Sequence, residues 1–209
     1  MASPRPEPPT ACRCVLLLVD VINDLEFPGG ETLVEPGLRM ARRVASLATR
    51  ARAAKVPVVY ANDNFGHWRS DFRAQIDHCT NEDVRGRAIA RLLVPTPSDF
   101  FILKPKHSAF FSTALEPLLR MLGAHTIVLA GIAGDSCVLF TAHDAHMRDY
   151  SIVVPRDGIV SEDPESNRWA LHNMRRMAHA ETPTAREIDF AALARGKAPR
   201  RSGRGVATP

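Results

Sequence analysis

The residue best suited to chemistry in this 209-residue chain is Cys137, which closes the segment GIAGDSC after the apolar run TIVLA. Gly131 and Gly134 suit a tight strand-to-helix bend whose backbone amides point inward. A free thiol has a pKa of about 8.5, and only its thiolate attacks well, so Cys137 needs help. Three sources are in view. A helix starting near Asp135 would turn its positive end to the sulfur, Lys104 would favour the thiolate, and Asp20 would accept the proton. Inward amides would also suit a developing oxyanion. Each residue has a plainer reading as well: a cysteine at a buried turn is commonly inert filling, an Asp there a cap, and a Lys there solvated. Both readings stand at this point.

The three residues are brought together by the pattern around them. Apolar runs (VLLLV, PVVY, FFIL, TIVLA, SIVV) alternate with stretches of helical period such as PGLRMARRVASLATRARAA, EDVRGRAIARLL, STALEPLLRMLGA and PESNRWALHNMRRMAHA. Such alternation predicts βαβ units. Nearly uniform apolar strands predict helices on both faces of a parallel sheet. The fold class expected is therefore α/β, a three-layer α-β-α sandwich with a mainly parallel, doubly wound sheet of about six strands. Ligands of such sheets bind beyond the carboxyl ends of the strands. Asp20 stands there after VLLLV, Asn62 and Asp63 after PVVYA, Lys104 after FFIL, and GIAGDSC after TIVLA. GxGxxG and GxxxxGK[ST] are absent, which argues against a dinucleotide or P-loop site.

A composition 45% hydrophobic and 24% charged is that of an ordinary folded domain. Arg195, Lys197, Arg200, Arg201 and Arg204 carry the basic excess. Without them the formal net charge of +4 becomes −1. The expected organisation is a Pro-rich disordered segment at 1–11, one domain at 12–190 and a basic disordered tail at 191–209. A solvated tail is preferred over one that binds nucleic acid or anionic lipid. VLLLV is too short for a membrane span or a signal core. Cys12, Cys14, Cys79 and Cys137 lack paired spacing, which predicts free thiols in a reducing cytoplasm. Cys12 and Cys14 have no second pair with which to build a zinc site.

Three segments, VDVINDLEFPGG, LKPKHSAFFSTALEPLL and LAGIAGDSCVLFTAHDAHMRDYSIVVPRDGIVS, resemble the isochorismatase-like cysteine hydrolases, which include nicotinamidases and N-carbamoylsarcosine amidases. The resemblance runs from Val15 to about Ala180. It implies an Asp–Lys–Cys triad at Asp20, Lys104 and Cys137. It also implies a non-proline cis peptide between Ile132 and Ala133, with the amides of Ala133 and Cys137 as oxyanion donors. In the family's K-x-R-x-S-A-F-like pattern the first basic position is the catalytic one, which selects Lys104 over Lys106. Ile22 and Leu25 stand where the D-x-Q-x-D-F opening has Gln and Phe.

Asn62, Asp63, Phe65 and Trp68 are read as a loop over the pocket, where an aromatic ring would stack on a planar substrate. Phe110 is a further pocket candidate. Asp63, His67, Asp71 and His78 imitate a metal site, but the Asp-x-His pair of metal-binding nicotinamidases is missing, so neither a metal nor another cofactor is expected. His143 and His146, one helical turn apart, are read as structural. Isochorismatases in the strict sense hydrolyse a vinyl ether and lack the cysteine. Cys137 therefore implies hydrolysis of a C–N bond in a small amide, carbamoyl or ureido substrate. Vinyl-ether hydrolysis and a non-catalytic binding protein are the alternatives. The resemblance also implies a homo-oligomer, dimer or tetramer.

Overall fold

The side chains of CVLLLV alternate between two buried faces, and this alternation organises the molecule. In the computed structural model, which describes residues 12–64 and 72–196, this run is strand β1, Cys14–Val19. Leu16 and Leu18 enter one core, while Val15, Leu17 and Val19 enter the other. A strand buried on both faces has no use for polar residues, which is why the run is unbroken.

The remaining strands are β2 (Val58–Asp63), β3 (Phe100–Lys104), β4 (Thr126–Ile132), β5 (Ser151–Val153) and β6 (Ile159–Val160). All pair in parallel, in the order β3-β2-β1-β4-β5, with β6 pairing the far end of β4. The sheet is the six-stranded, doubly wound one expected. On one face pack α1 (Gly30–Ala53), α2 (Phe72–Asn81), α3 (Arg87–Leu92) and α7 (Phe190–Ala194). On the other lie α4 (Leu115–Met121), α5 (Leu139–His146) and α6 (Pro164–Met177).

Three local features differ from the expectation. Helix α1 begins at Gly30, ahead of Pro36, because Leu33, Gly37, Met40, Ala41, Val44, Leu47, Ala48 and Ala51 form one buried stripe that runs through the proline. The stripe sets the helix, at spacings of three and four. Helix α2 occupies the segment just after the expected pocket loop and buries Phe72, Gln75 and Cys79, one helical face. Finally, the packed chain passes the boundary expected at residue 190. Helix α7 buries Phe190 and Leu193 against the core behind β1. No described helix is long and apolar enough to cross a membrane.

Candidate active site

Parallel pairing puts the carboxyl ends of neighbouring strands side by side. Val19 pairs with Ala61 on one side and Gly131 on the other, and Asp63 pairs with Lys104. The residues that follow these positions share one sheet edge. Gly131 allows β1 and β4 to meet there: its φ is 133°, and a Cβ would lie 2.0 Å from the Val19 carbonyl oxygen. Only glycine fits.

Asp20 leaves β1 with a left-handed φ of 51°, a conformation that Asp tolerates better than most residues. Its Oδ1 accepts the Asp63 amide at 2.7 Å, and its Oδ2 lies 2.8 Å from Lys104 Nζ. Lys104 Nζ also donates to the Lys106 carbonyl at 3.2 Å and lies 3.6 Å from Asp63 Oδ2. It reaches Cys137 Sγ at 3.4 Å. Lys104 Nζ therefore stands between the Asp20 carboxylate and the Cys137 sulfur. Asp20, Lys104 and Cys137 are thus brought together, with Lys106 contributing only its carbonyl to the cluster.

After β4 the chain passes through a cis peptide between Ile132 and Ala133 into a single π-helical turn, Gly134–Val138. Such wide turns recur at functional sites. The amides of Ser136 and Val138 bond to the Ala133 carbonyl, and the Asp135 amide bonds to Ser161 Oγ. Cys137 stands on this turn, half-buried, its sulfur facing a cavity of about 390 Å³. That cavity is also lined by Asp20, Asp63, Ile132, Ala133, His107 and Glu162.

The electrostatics revise one expectation. Burial, reinforced by the Asp20 charge, pushes the Cys137 thiol up to about 12, and Lys104 only partly offsets this. Both effects favour the thiol over the thiolate. Burial also raises Asp20 above the ordinary carboxylate range, against the pull of Lys104. Burial works against the Lys104 charge, but Asp20 and Cys137 outweigh it and hold the ammonium above its usual value. A protonated thiol beside a carboxylate of raised pKa suits proton transfer coupled to attack.

The expected pocket residues divide. Asp63 lines the cavity. Asn62 points elsewhere: its amide nitrogen and that of Gln75 both donate to the Ile22 carbonyl, at 2.8 and 2.9 Å, and pin the loop after β1. Phe110 is no pocket wall. It is buried in the core beside Tyr150, under the Arg148 guanidinium, because it faces α4 and α5 and not the strand ends. Phe65, Trp68, His67 and Asp71 lie outside the described residues. His78 pairs with Asp24 at 3.1 Å and Glu82 at 2.9 Å. Among the described residues, no three His, Cys, Asp or Glu side chains gather as a metal site. His143 bonds to Asn173 on α6 at 2.8 Å.

Sequence reasoning missed His107 and Glu162 in the cavity wall. His107 lies three residues beyond Lys104, on a segment that had to pass the same opening, and that proximity was the available signal.

Comparison with known proteins agrees with this architecture. The isochorismatase domain model matches residues 14–186. The uncharacterized isochorismatase family protein YaaI of Bacillus subtilis is 44% identical over 173 residues, covering 83% of this chain and 94% of that protein. The ureidoacrylate amidohydrolase RutB of Methylobacterium radiotolerans is 30% identical over 199 residues, covering 81% of this chain and 77% of its own length. The crystal structure of N-carbamoylsarcosine amidase from Thermoplasma acidophilum superposes with a TM-score of 0.65 at 26% identity, over 85% of this chain and 99% of that one. With its domain matched almost end to end and its strand order that of a doubly wound sheet, the chain belongs to the isochorismatase family of hydrolases.

Proposed function

We propose that this hydrolase cleaves a C–N bond of a small amide, carbamoyl or ureido compound through a thioester on Cys137. The observation that carries the reading is the meeting of three groups, with Lys104 Nζ 2.8 Å from Asp20 and 3.4 Å from the Cys137 sulfur, and with Asp20 and Cys137 lining one cavity. The names of two relatives, a ureidoacrylate amidohydrolase and an N-carbamoylsarcosine amidase, favour the same bond type.

In acylation the thiol gives its proton to Asp20 as sulfur attacks the carbonyl carbon. The carbonyl electron pair moves onto oxygen, where the amides of Ala133 and Cys137 receive it. Collapse of this intermediate breaks the C–N bond, and the leaving nitrogen takes the proton from Asp20. Water then gives a proton to the same carboxylate and attacks the thioester. The C–S bond breaks, and sulfur recovers its electron pair and the proton. Lys104 stays charged throughout and compensates Asp20 and the sulfur in turn. A vinyl ether has no acyl carbon to load onto sulfur, so the thiol argues for amide-type chemistry.

The same proposal places the enzyme in the cytoplasm, where Cys12, Cys14, Cys79 and Cys137 remain thiols, and makes it a homo-oligomer, dimer or tetramer. Light scattering on the purified chain checks the second point. The chemistry is tested by screening small amides, carbamoyl compounds and ureides for ammonia release, with Cys137→Ala as control. Release that persists in the variant overturns the thioester route.

A further inference from the structure

Asp20 and Lys104 approach the Cys137 sulfur from the buried side of the site, and a third group approaches it from the open side. His107 Nδ1 lies 3.8 Å from Cys137 Sγ and 3.5 Å from Ser136 Oγ. The imidazole is stacked on Phe140 of α5, with ring centroids 5.5 Å apart and planes 23° apart. Its edge is thereby aimed at the sulfur, while the residue itself remains exposed and can exchange protons with solvent.

The hydrogen-bond roles can be assigned. In the proposed reaction the thiol hydrogen passes to Asp20, so a further nitrogen at the sulfur serves as a donor. His107 Nδ1–H is then to the open side what Lys104 Nζ–H is to the buried side. The other charged or titratable groups that share this cavity are Asp20, Asp63 and Glu162, with Lys104 and Lys106 on the segment that carries His107.

We infer that His107 is a further catalytic residue, which stabilises the Cys137 thiolate by donation from Nδ1. The inference rests on the reading of Cys137 as nucleophile. Sulfur carries negative charge twice in that reaction: as its proton passes to Asp20 during attack, and as the C–S bond breaks and returns an electron pair to it. A donor in contact with the sulfur lowers the cost of both events, because hydrogen bonds to a charged partner are the stronger ones.

Iodoacetamide reports on this without a known substrate, since the thiolate displaces iodide and forms a new S–C bond. The full chain is alkylated across a range of pH, and the Cys137 peptide is followed by mass spectrometry in wild type, His107→Ala and His107→Gln. At each pH wild type is expected to exceed His107→Ala about tenfold. His107→Gln, which keeps a donor at this position, is expected to recover most of the wild-type rate. Superimposed wild-type and His107→Ala profiles, or a His107→Gln that reacts no faster than His107→Ala, overturn the role of His107. A Cys137 in wild type that reacts no faster than the buried Cys79 instead overturns the nucleophile reading itself, whatever His107 does.

Discussion

The Lys104 ammonium lies 2.8 Å from the Asp20 carboxylate across the end of an intervening strand, and both side chains are closed off from solvent. Burying two charges is unfavourable unless each answers the other, and removing one partner strands the second in a poorly solvated site. Lys104→Met or Asp20→Asn alone is expected to cost about 3–5 kcal/mol in urea unfolding. The double variant should lose less than the sum of the two, by about 1–3 kcal/mol, because the pair couples directly. Additive losses would mean that the two charges are solvated independently.

Cys137 is different, because the half-buried sulfur takes part in no ion pair of the resting fold. Cys137→Ala should leave the unfolding midpoint nearly unchanged while lowering turnover by about 10⁴-fold or more, the scale seen when a nucleophile is removed. A stability loss comparable to that of Lys104→Met would point to a structural thiol instead.

The pH dependence of activity follows from Asp20. Burial, against the opposing pull of the Lys104 ammonium, lifts its carboxyl above the ordinary value of 3.8. The base must be ionised, so kcat/KM is present above the folded pKa and falls as pH drops through it. The acid limb therefore lies above the usual carboxylate range, and a limb at about pH 4 or lower would contradict the assignment. The stability contribution has the opposite sense: the native state holds this proton more tightly than the unfolded chain. What Asp20 adds is complete below 3.8 and is lost as pH rises through the folded value.

His78 supplies an independent stability test. Its hydrogen bond to Asp24, with a second to Glu82, raises its pKa above 6.5. The native state again binds the proton more tightly, so this contribution is full below 6.5 and disappears as pH rises through the folded value. Comparing unfolding of wild type and His78→Gln at acid and alkaline pH should show a gap that closes on the alkaline side. Since Asp24 follows β1 and His78 lies on α2, the gap measures how the loop behind Asp20 is tied down.

Gly131 carries the steric prediction. With φ at 133° and the Val19 carbonyl 2.0 Å from any added Cβ, Gly131→Ala should cost about 3 kcal/mol or more, read by the same unfolding assay. A neutral result would require β1 and β4 to separate beneath the site.

Residue types and periods were enough to predict the architecture. The two-faced burial of CVLLLV demanded covering helices, and its repetition in TIVLA and PVVY demanded a parallel sheet, whose carboxyl edge had to carry Asp20, Lys104 and the segment of Cys137. Helix α2 was missed because its ten residues bury only one short face, a period easily lost beside a polar loop. Phe110, a pocket candidate in the sequence, stands six residues beyond Lys104 in the chain. Chain proximity does not say on which side of a strand end a ring will lie.

What the sequence by itself determined was the strand ends and the chemical types standing on them, because local hydrophobic period is written directly in residue order. Tertiary structure decided everything that depends on distance and solvent. Packing turned Asn62 toward Ile22, sank Phe110 under Arg148 and brought His107 back over the sulfur. It also set the direction of each pKa shift at the site. A cysteine beside a lysine reads as a ready thiolate, yet burial and the neighbouring Asp20 charge outweigh that lysine, and the thiol keeps its proton until a base removes it.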